Sequence, residues 1–163
     1  MAQEPDQQRR ADSRRLAGYA FVTNESGHPL MVTGPDQHLA FPGGETIADE
    51  PAVQPAAYHL RRLGLSIAPG PILSVDHMEA YPLGGAPDVI NFLFYCGKLT
   101  APQVKSIATP KGQFEFVNPK FFHWSMTRYQ RRCLDVALDA LTNNTGCPYL
   151  RNGLRISHLS VSA

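Results

Sequence analysis

The stretch from Pro51 to Val75 contains no aspartate and no glutamate. A hard divalent ion needs oxygen ligands, so carboxylates from this stretch cannot hold one. Other things are scarce too. No apolar run reaches the roughly 18 residues that a membrane-spanning helix needs, and the opening MAQEPDQQRRADSRR lacks the apolar centre of a signal peptide. The three cysteines, Cys96, Cys133 and Cys147, form no C-x-x-C pair and stand near no histidine at zinc spacing. A sparse, odd count fits reduced thiols, so a cytoplasmic protein without membrane partners is expected. The formal net charge is only +1, which leaves no global electrostatic case for nucleic acid. Internal repeats, a Walker-type phosphate loop and a Ser-His-Asp or Cys-His arrangement are all missing.

What is present suits one domain: 163 residues, 43% of them hydrophobic. Fourteen prolines and thirteen glycines imply many turns and few long helices. Residues 1–13 are polar with nothing to bury and are expected to be disordered; residues 14–153 read as the domain and 154–163 as a C-terminal tail. Leu16 to Thr23 reads as a strand, and Asn24-Glu25-Ser26-Gly27 as a turn into a hairpin partner, His28 to Thr33. His38 to Phe41 is a short strand running into Pro42-Gly43-Gly44, and Glu45 to Glu50 reads as a loop. Further strands are expected at Ile72–Tyr81, Asp88–Cys96 and Phe114–Val117, the second apolar at nearly every position, as a strand buried on both faces is.

Two helices complete the pattern. One is expected around Pro55–Leu63, since Pro55 is awkward inside a helix, although the pattern itself would allow a start at Pro51 or Val53; Gly64 is its stop. The other is expected over Pro119–Leu141, where Met126, Tyr129, Cys133, Val136, Ala137 and Ala140 recur at three-and-four spacing. Phe121, Phe122 and Trp124 would begin that helix as core or staple residues. The order of elements predicts an α/β (α+β) fold, a mixed sheet sandwiched between helices.

At His38–Leu65 the chain reads HLAFPGGETIADEPAVQPAAYHLRRLGL. This resembles the Nudix box, which runs Gly, five residues, Glu, seven residues, Arg-Glu, aliphatic, any residue, Glu-Glu, any residue, Gly, aliphatic. Gly44 and Glu50 match its opening, with Gly43 completing the usual Pro-Gly-Gly, and Gly64-Leu65 match its close. The resemblance spans Tyr19 to Gly153, and Arg131-Arg132 through Tyr149–Gly153 is similar to the tail of an actinobacterial Nudix subgroup. It implies a Nudix fold.

The middle of the box departs from the pattern and is one residue short. Aligned from the left, Tyr58 and His59 replace the Arg-Glu pair, and Arg62 and Leu63 the metal-binding glutamates; aligned from the right, Arg61 and Arg62 replace those glutamates. In the family these carboxylates hold Mg²⁺ or Mn²⁺, which neutralises diphosphate charge and activates water. Arginine repels such an ion and binds phosphate directly. The resemblance also places Gln113, rather than Glu115, where many members carry a catalytic or metal-binding glutamate; Glu115 reads as an outward strand residue.

Two functions follow. The first is a Nudix-fold protein with a degenerate box that binds a phosphorylated or nucleotide-like ligand through Gly43, Gly44, Arg61, Arg62 and Gln113. No cofactor is needed, and any catalysis, resting on Glu50 and His59, is weak, absent or independent of metal. The second is a divergent hydrolase of a nucleoside diphosphate-linked substrate, with Mg²⁺ or Mn²⁺ held by Glu50, loop groups and substrate phosphates. The acidic group Glu45, Asp49 and Glu50 also fits the positive end of a helix dipole. His77 and Glu79 share one strand face and could do acid–base work or simply face solvent. A homodimer is compatible with the resemblance.

Overall fold

The computed structural model describes residues 14–80, 88–109, 113–121 and 123–156. The expected N-terminal disorder, the loop at 82–87 and most of the expected tail lie outside them. Two sheets carry the fold. The larger has six strands in the order β4-β1-β6-β5-β8-β9: β1 (Arg15–Thr23), β4 (Gly43–Glu45), β5 (Ile72–Met78), β6 (Val89–Lys98), β8 (Tyr149–Arg151) and β9 (Leu154–Arg155). The pairs β1–β6 and β5–β8 are parallel and the others antiparallel, so the sheet is mixed as expected. The smaller sheet has the order β3-β2-β7, from β3 (Leu39–Ala40), β2 (Leu30–Thr33) and β7 (Phe114–Phe116). Three helices complete the described chain: α1 (Val53–Arg62), α2 (Ala101–Lys105) and α3 (Arg128–Asn143).

Alternation along the central strands sends side chains to two cores. Phe21, Leu93 and Leu73 pack with Cys133, Leu134, Ala137 and Ala140 of α3. Ala20, Val22 and Phe94 pack with Ala56 and Leu60 of α1 and with Leu63 just beyond its end. The large sheet is therefore sandwiched between α1 and α3.

Several expectations are corrected. The hairpin from β1 into β2 closes through one bridge, Thr23 to Pro29, after which β2 joins the smaller sheet; proline has no N–H to continue the ladder. Helix α1 begins at Val53, two residues before Pro55. Pro55 is its third residue, where the backbone N–H has no intrahelical partner to lose and the ring meets no helical carbonyl four residues back. Helix α3 begins at Arg128, not Pro119. Thr127 is extended and caps it: its hydroxyl accepts from the Gln130 N–H, and the Gln130 side chain accepts from the Thr127 N–H. Upstream, the Arg131 guanidinium donates to the Phe121 and Pro119 carbonyls, tethering that segment by its backbone. Its rings stay outside: Trp124 is 84% exposed and Phe121 is exposed too, while Met126 takes the buried place. Phe122 is not described.

Gly18 and Gly43 make the junction of β4, β1 and α1 possible. A Cβ on Gly18 would lie 1.6 Å from the Ala52 carbonyl oxygen, so only glycine lets the start of α1 settle on β1. Gly43 has φ +152°, and a Cβ there would lie 2.2 Å from the Gly18 carbonyl oxygen.

Candidate functional site

The box residues surround an open groove of about 390 Å³ lined by Glu45, Ile47, Glu50, Gln54, Pro55, Tyr58, His59 and Arg61. Helix geometry explains the set. Ala56, Leu60 and, at the C-cap, Leu63 turn into the core, leaving the stripe Gln54, Pro55, Tyr58, His59 and Arg61 on another face. Arg61 is exposed, and no carboxylate pairs with it among the described residues. Arg62 is absent from the lining; its guanidinium carbon lies 5.9 Å from the centre of the Tyr58 ring, one turn back. His59 is half-buried, and burial first, then the Arg62 charge, push its pKa below the ordinary 6.5.

The edge of the sheet borders the groove through Glu45, and the expected ligand-binding residues Gly43 and Gly44 are not in its lining. Ala20 N–H donates to the Pro42 carbonyl at 2.7 Å and Thr46 N–H to the Leu16 carbonyl at 2.9 Å. Antiparallel parity then makes Gly18–Gly44 the hydrogen-bonded pair and turns the Gly43 and Glu45 backbone groups away from β1. The same register puts Gly44 on the α1 face, where a Cβ would meet only the His59 Nε2, at 3.8 Å. Gln113 is exposed beside β7 and does not line the groove; its carbonyl accepts from the Thr33 N–H.

The acidic group Glu45, Asp49 and Glu50 lines one depression beside the groove, and Glu45 and Glu50 line the groove as well. Glu45 ends β4 rather than opening a loop, and its carboxylate pairs with Arg15 at 3.0 Å. Glu50 accepts the Ile47 N–H at 3.3 Å and lines the groove. Asp49 lines a neighbouring depression with Arg14 and Arg15. The first turn of α1 contains no acid, so a role in its dipole is confined to residues before the cap. Among the described residues, no three His, Cys, Asp or Glu side chains are grouped to hold a metal ion.

His77 and Glu79 do not form an acid–base pair. The His77 Nε2 is 2.9 Å from Asp88, while Glu79 pairs with Arg151 and takes a hydrogen bond from Asn152 at 3.2 Å. These contacts tie β5 to β6 and β8. Glu115 is exposed, as expected for an outward strand residue, and takes up His123 at 3.0 Å.

Sequence reasoning missed a second cavity, on the opposite face of the sheet. It has about 120 Å³ between α3 and the strands and is lined by Tyr19, Ala40, Phe41, Ser74, Asp76, Met78, Asn91, Leu93, Tyr129, Gln130 and Cys133. Asp76 is 3% exposed. The Tyr129 hydroxyl donates to its Oδ2 at 2.6 Å and the Gly153 N–H to its Oδ1 at 3.0 Å; Asn91 Nδ2 donates to the Tyr129 oxygen at 3.1 Å. Burial foremost, with the nearby Cys133 and Asp76, raises the Tyr129 pKa, and burial pushes the Cys133 thiol up to about 12, so both stay protonated.

No protein-family model matches the chain, and no curated protein matches it. Solved structures do. The MutT protein of Methanosarcina mazei Go1 superposes with a TM-score of 0.63 at 18% identity, over 83% of this chain and 98% of that one. An ADP-ribose pyrophosphatase of Streptococcus suis 89-1591 gives 0.57 at 14%, over 85% and 99%. A NUDIX hydrolase of Nitrosomonas europaea gives 0.59 at 13%, over 78% and 90%. The chain has the fold of these proteins, as the box-like sequence implied. Among the described residues no helix is long and apolar enough to cross a membrane.

Proposed function

We propose that the chain binds a phosphorylated, nucleotide-like ligand in the box groove, with metal-dependent hydrolysis weak or lost. The observation that carries this reading is Arg61, a guanidinium with no carboxylate partner among the described residues, in the lining of a groove that β4 borders through Glu45. A phosphate there can take two parallel hydrogen bonds from Arg61. It can also meet the His59 ring and the outward amide of Glu45. The burial of Leu63 favours the right-hand register of the shortened box, in which Tyr58, Arg61 and Arg62 replace the glutamates, because a core residue cannot stand at a ligand-facing position. Only Arg61 of the two arginines lines the groove; Arg62 acts on it through Tyr58 and His59. Gln113 has no direct part in this groove.

Magnesium or manganese, which the sequence resemblance implies, does not suit the residues present. Such ions need several oxygens converging at octahedral geometry. Among the described residues Glu45 and Glu50 are the acidic side chains in the groove lining; Glu45 is engaged by Arg15, Glu50 already accepts the Ile47 N–H, and Arg61 opposes a cation there. His59, kept neutral by its lowered pKa, is the group on this face able to accept a proton from a bound water. The lining position of Glu50 favours the second reading, a divergent hydrolase completed by loop and substrate oxygens.

The test is a turnover assay across nucleoside diphosphate and dinucleotide substrates, with and without Mg²⁺ or Mn²⁺, alongside a pyrophosphate-binding measurement. Expected are pyrophosphate binding that Arg61→Ala weakens by about tenfold and little metal-dependent phosphate release. Robust turnover abolished both by a chelator and by Glu50→Gln would replace the first reading with the second. The chain is further proposed to act in the cytoplasm.

A further inference from the structure

We propose that the ligand of the α1 groove carries a planar aromatic ring close to its phosphate, and that Tyr58 is the platform on which this ring stacks. This deepens the phosphate-binding reading of the groove and rests on it.

Three observations carry the proposal. The first is what the groove holds beyond its cation. Its lining includes two large apolar side chains turned to solvent, Ile47 at 76% exposed and Tyr58 at 50%. A bare phosphate gives neither of them apolar surface to bury. The groove has about 390 Å³ of space, within the range of roughly 300–1,000 Å³ of small-molecule sites and much more than one phosphate fills. Ile47 is held there by its own turn. Its N–H donates to Glu50 Oε2 at 3.3 Å and its carbonyl accepts the Glu50 N–H at 3.2 Å. Ala48, next in the turn, takes a left-handed φ of +52°, which a residue with a Cβ adopts only at a cost.

The second observation is the setting of the Tyr58 ring. The Arg62 guanidinium carbon lies over it, 5.9 Å from the ring centre, and the His59 ring packs at 5.6 Å and 81°, near a right angle. Tyr58 lines the groove and Arg62 does not, so the guanidinium backs the ring from outside and leaves the other side to the groove. A ring held by two neighbours has little freedom left to lose on binding. The cation behind it draws ring electron density away from the groove side. That side therefore favours a neutral flat ring and disfavours a second cation.

The third is spacing. Tyr58 and Arg61 stand three residues apart on α1, which makes them neighbours on the helix surface, about 5–6 Å apart at their Cβ atoms. A phosphate gripped by Arg61 thus brings the group it esterifies over Tyr58 when the two are joined directly or by a short link. The ligand class is a phosphate ester of a flat ring, as in an aryl phosphate, or of a sugar that bears one, as in a nucleotide.

The experiment is calorimetric titration of the whole chain with two matched pairs of esters and, in parallel, with inorganic pyrophosphate. Phenyl phosphate is set against cyclohexyl phosphate, which has the same charge and similar bulk without a π face. Adenosine 5′-monophosphate is set against ribose 5-phosphate. Expected is binding of phenyl phosphate at least about tenfold tighter than that of the cyclohexyl ester, in line with ring stacking on an aromatic side chain. A like preference for the adenosine ester identifies a nucleotide as the source of the ring; a preference in the phenyl pair alone identifies a directly esterified aryl group, and both support the platform. Tyr58→Leu should erase the phenyl preference and Tyr58→Phe should keep it. Equal affinity for the phenyl and cyclohexyl esters in the unaltered protein overturns the proposal without the use of any variant, and so does a preference that survives Tyr58→Leu. Pyrophosphate separates the two ideas. If it binds and the phenyl ester is not preferred, the platform fails and the phosphate groove stands. If neither pyrophosphate nor any ester binds, the groove reading fails and the platform with it.

Discussion

One sheet separates two cavities of opposite chemistry. On the α1 face a wide groove carries a guanidinium that is unpaired among the described residues and a half-buried imidazole. On the α3 face a tight cavity carries a buried carboxylate, an amide carbonyl and no cation. The α1 groove is open, and among the described residues its guanidinium, Arg61, holds nothing else together. The α3 network joins β5, β6, α3 and the turn after β8 through Asp76, Asn91, Tyr129 and Gly153. The difference teaches that substitutions on the two faces must fail differently: in the groove by losing ligand, in the cavity by losing stability.

The largest effect should come from the glycines between the faces. Gly18→Ala drives a Cβ into the Ala52 carbonyl, and α1 must lift from the sheet; a loss of about 3 kcal/mol or more is expected by urea denaturation. Gly44→Ala meets only the His59 ring end at ordinary contact distance, so stability should change by less than about 1 kcal/mol. Its effect belongs to pyrophosphate binding, which the methyl group narrows. Equal destabilisation by the two would erase the contrast between scaffold and groove.

Next in size is Asp76→Ala. It strands the Tyr129 hydroxyl and the Gly153 amide, for an expected loss of about 2–3 kcal/mol. Arg61→Glu is the matching change on the other face. Arg61 is exposed and has no pairing partner among the described residues, so folding stability should stay within about 0.5 kcal/mol, while pyrophosphate binding should fall at least about tenfold. A large stability loss in Arg61→Glu would mean that the guanidinium is structural.

The smallest effect is one of pH. Because the His59 pKa is lowered in the folded chain, the unfolded chain binds that proton more readily. The contribution is therefore complete above the ordinary value of 6.5 and is lost as pH falls below it. Glu79 and Asp88, lowered by Arg151 and by the Ala80 amide, act in a separate window at and below the carboxylate range. Urea midpoints measured across the acid side should show a shallow slope beginning near 6.5 that His59→Gln removes. A bound phosphate draws the His59 pKa back up, so pyrophosphate should bind more tightly as pH falls through the same range.

The sandwich was legible because β1 and β6 are long apolar, β-prone runs, β5 alternates, and α3 carries an apolar stripe at helical spacing. The starts of α2 and α3 were legible in principle: Thr100-Ala-Pro-Gln103 and Thr127-Arg-Tyr-Gln130 are both capping boxes, yet the apolar stripe running up from Leu141 masked the second. β8 and β9, three and two residues long, have too few positions to show an alternation. The groove was legible where it depends on charge, in the missing carboxylates and in Arg61. It was not legible in the choice between Arg61 and Arg62, which turns on one residue of register and on the burial of Leu63. The α3 cavity escaped for a different reason. Asp76 meets Tyr129 across 53 residues and Gly153 across 77, and no local pattern announces partners at that distance.

The groove is proposed to take anions in place of the divalent cations that the sequence resemblance implies. The most direct measurement is a thermal-shift titration of the intact chain and of Arg61→Ala with pyrophosphate and, separately, with Mn²⁺, since whatever binds the folded state alone raises its midpoint. Pyrophosphate without metal should raise the midpoint of the intact chain, Arg61→Ala should lose most of that rise, and Mn²⁺ alone should leave both unchanged. A saturable rise with Mn²⁺ that Glu50→Gln abolishes, together with no response to pyrophosphate unless Mn²⁺ is present, would contradict the claim.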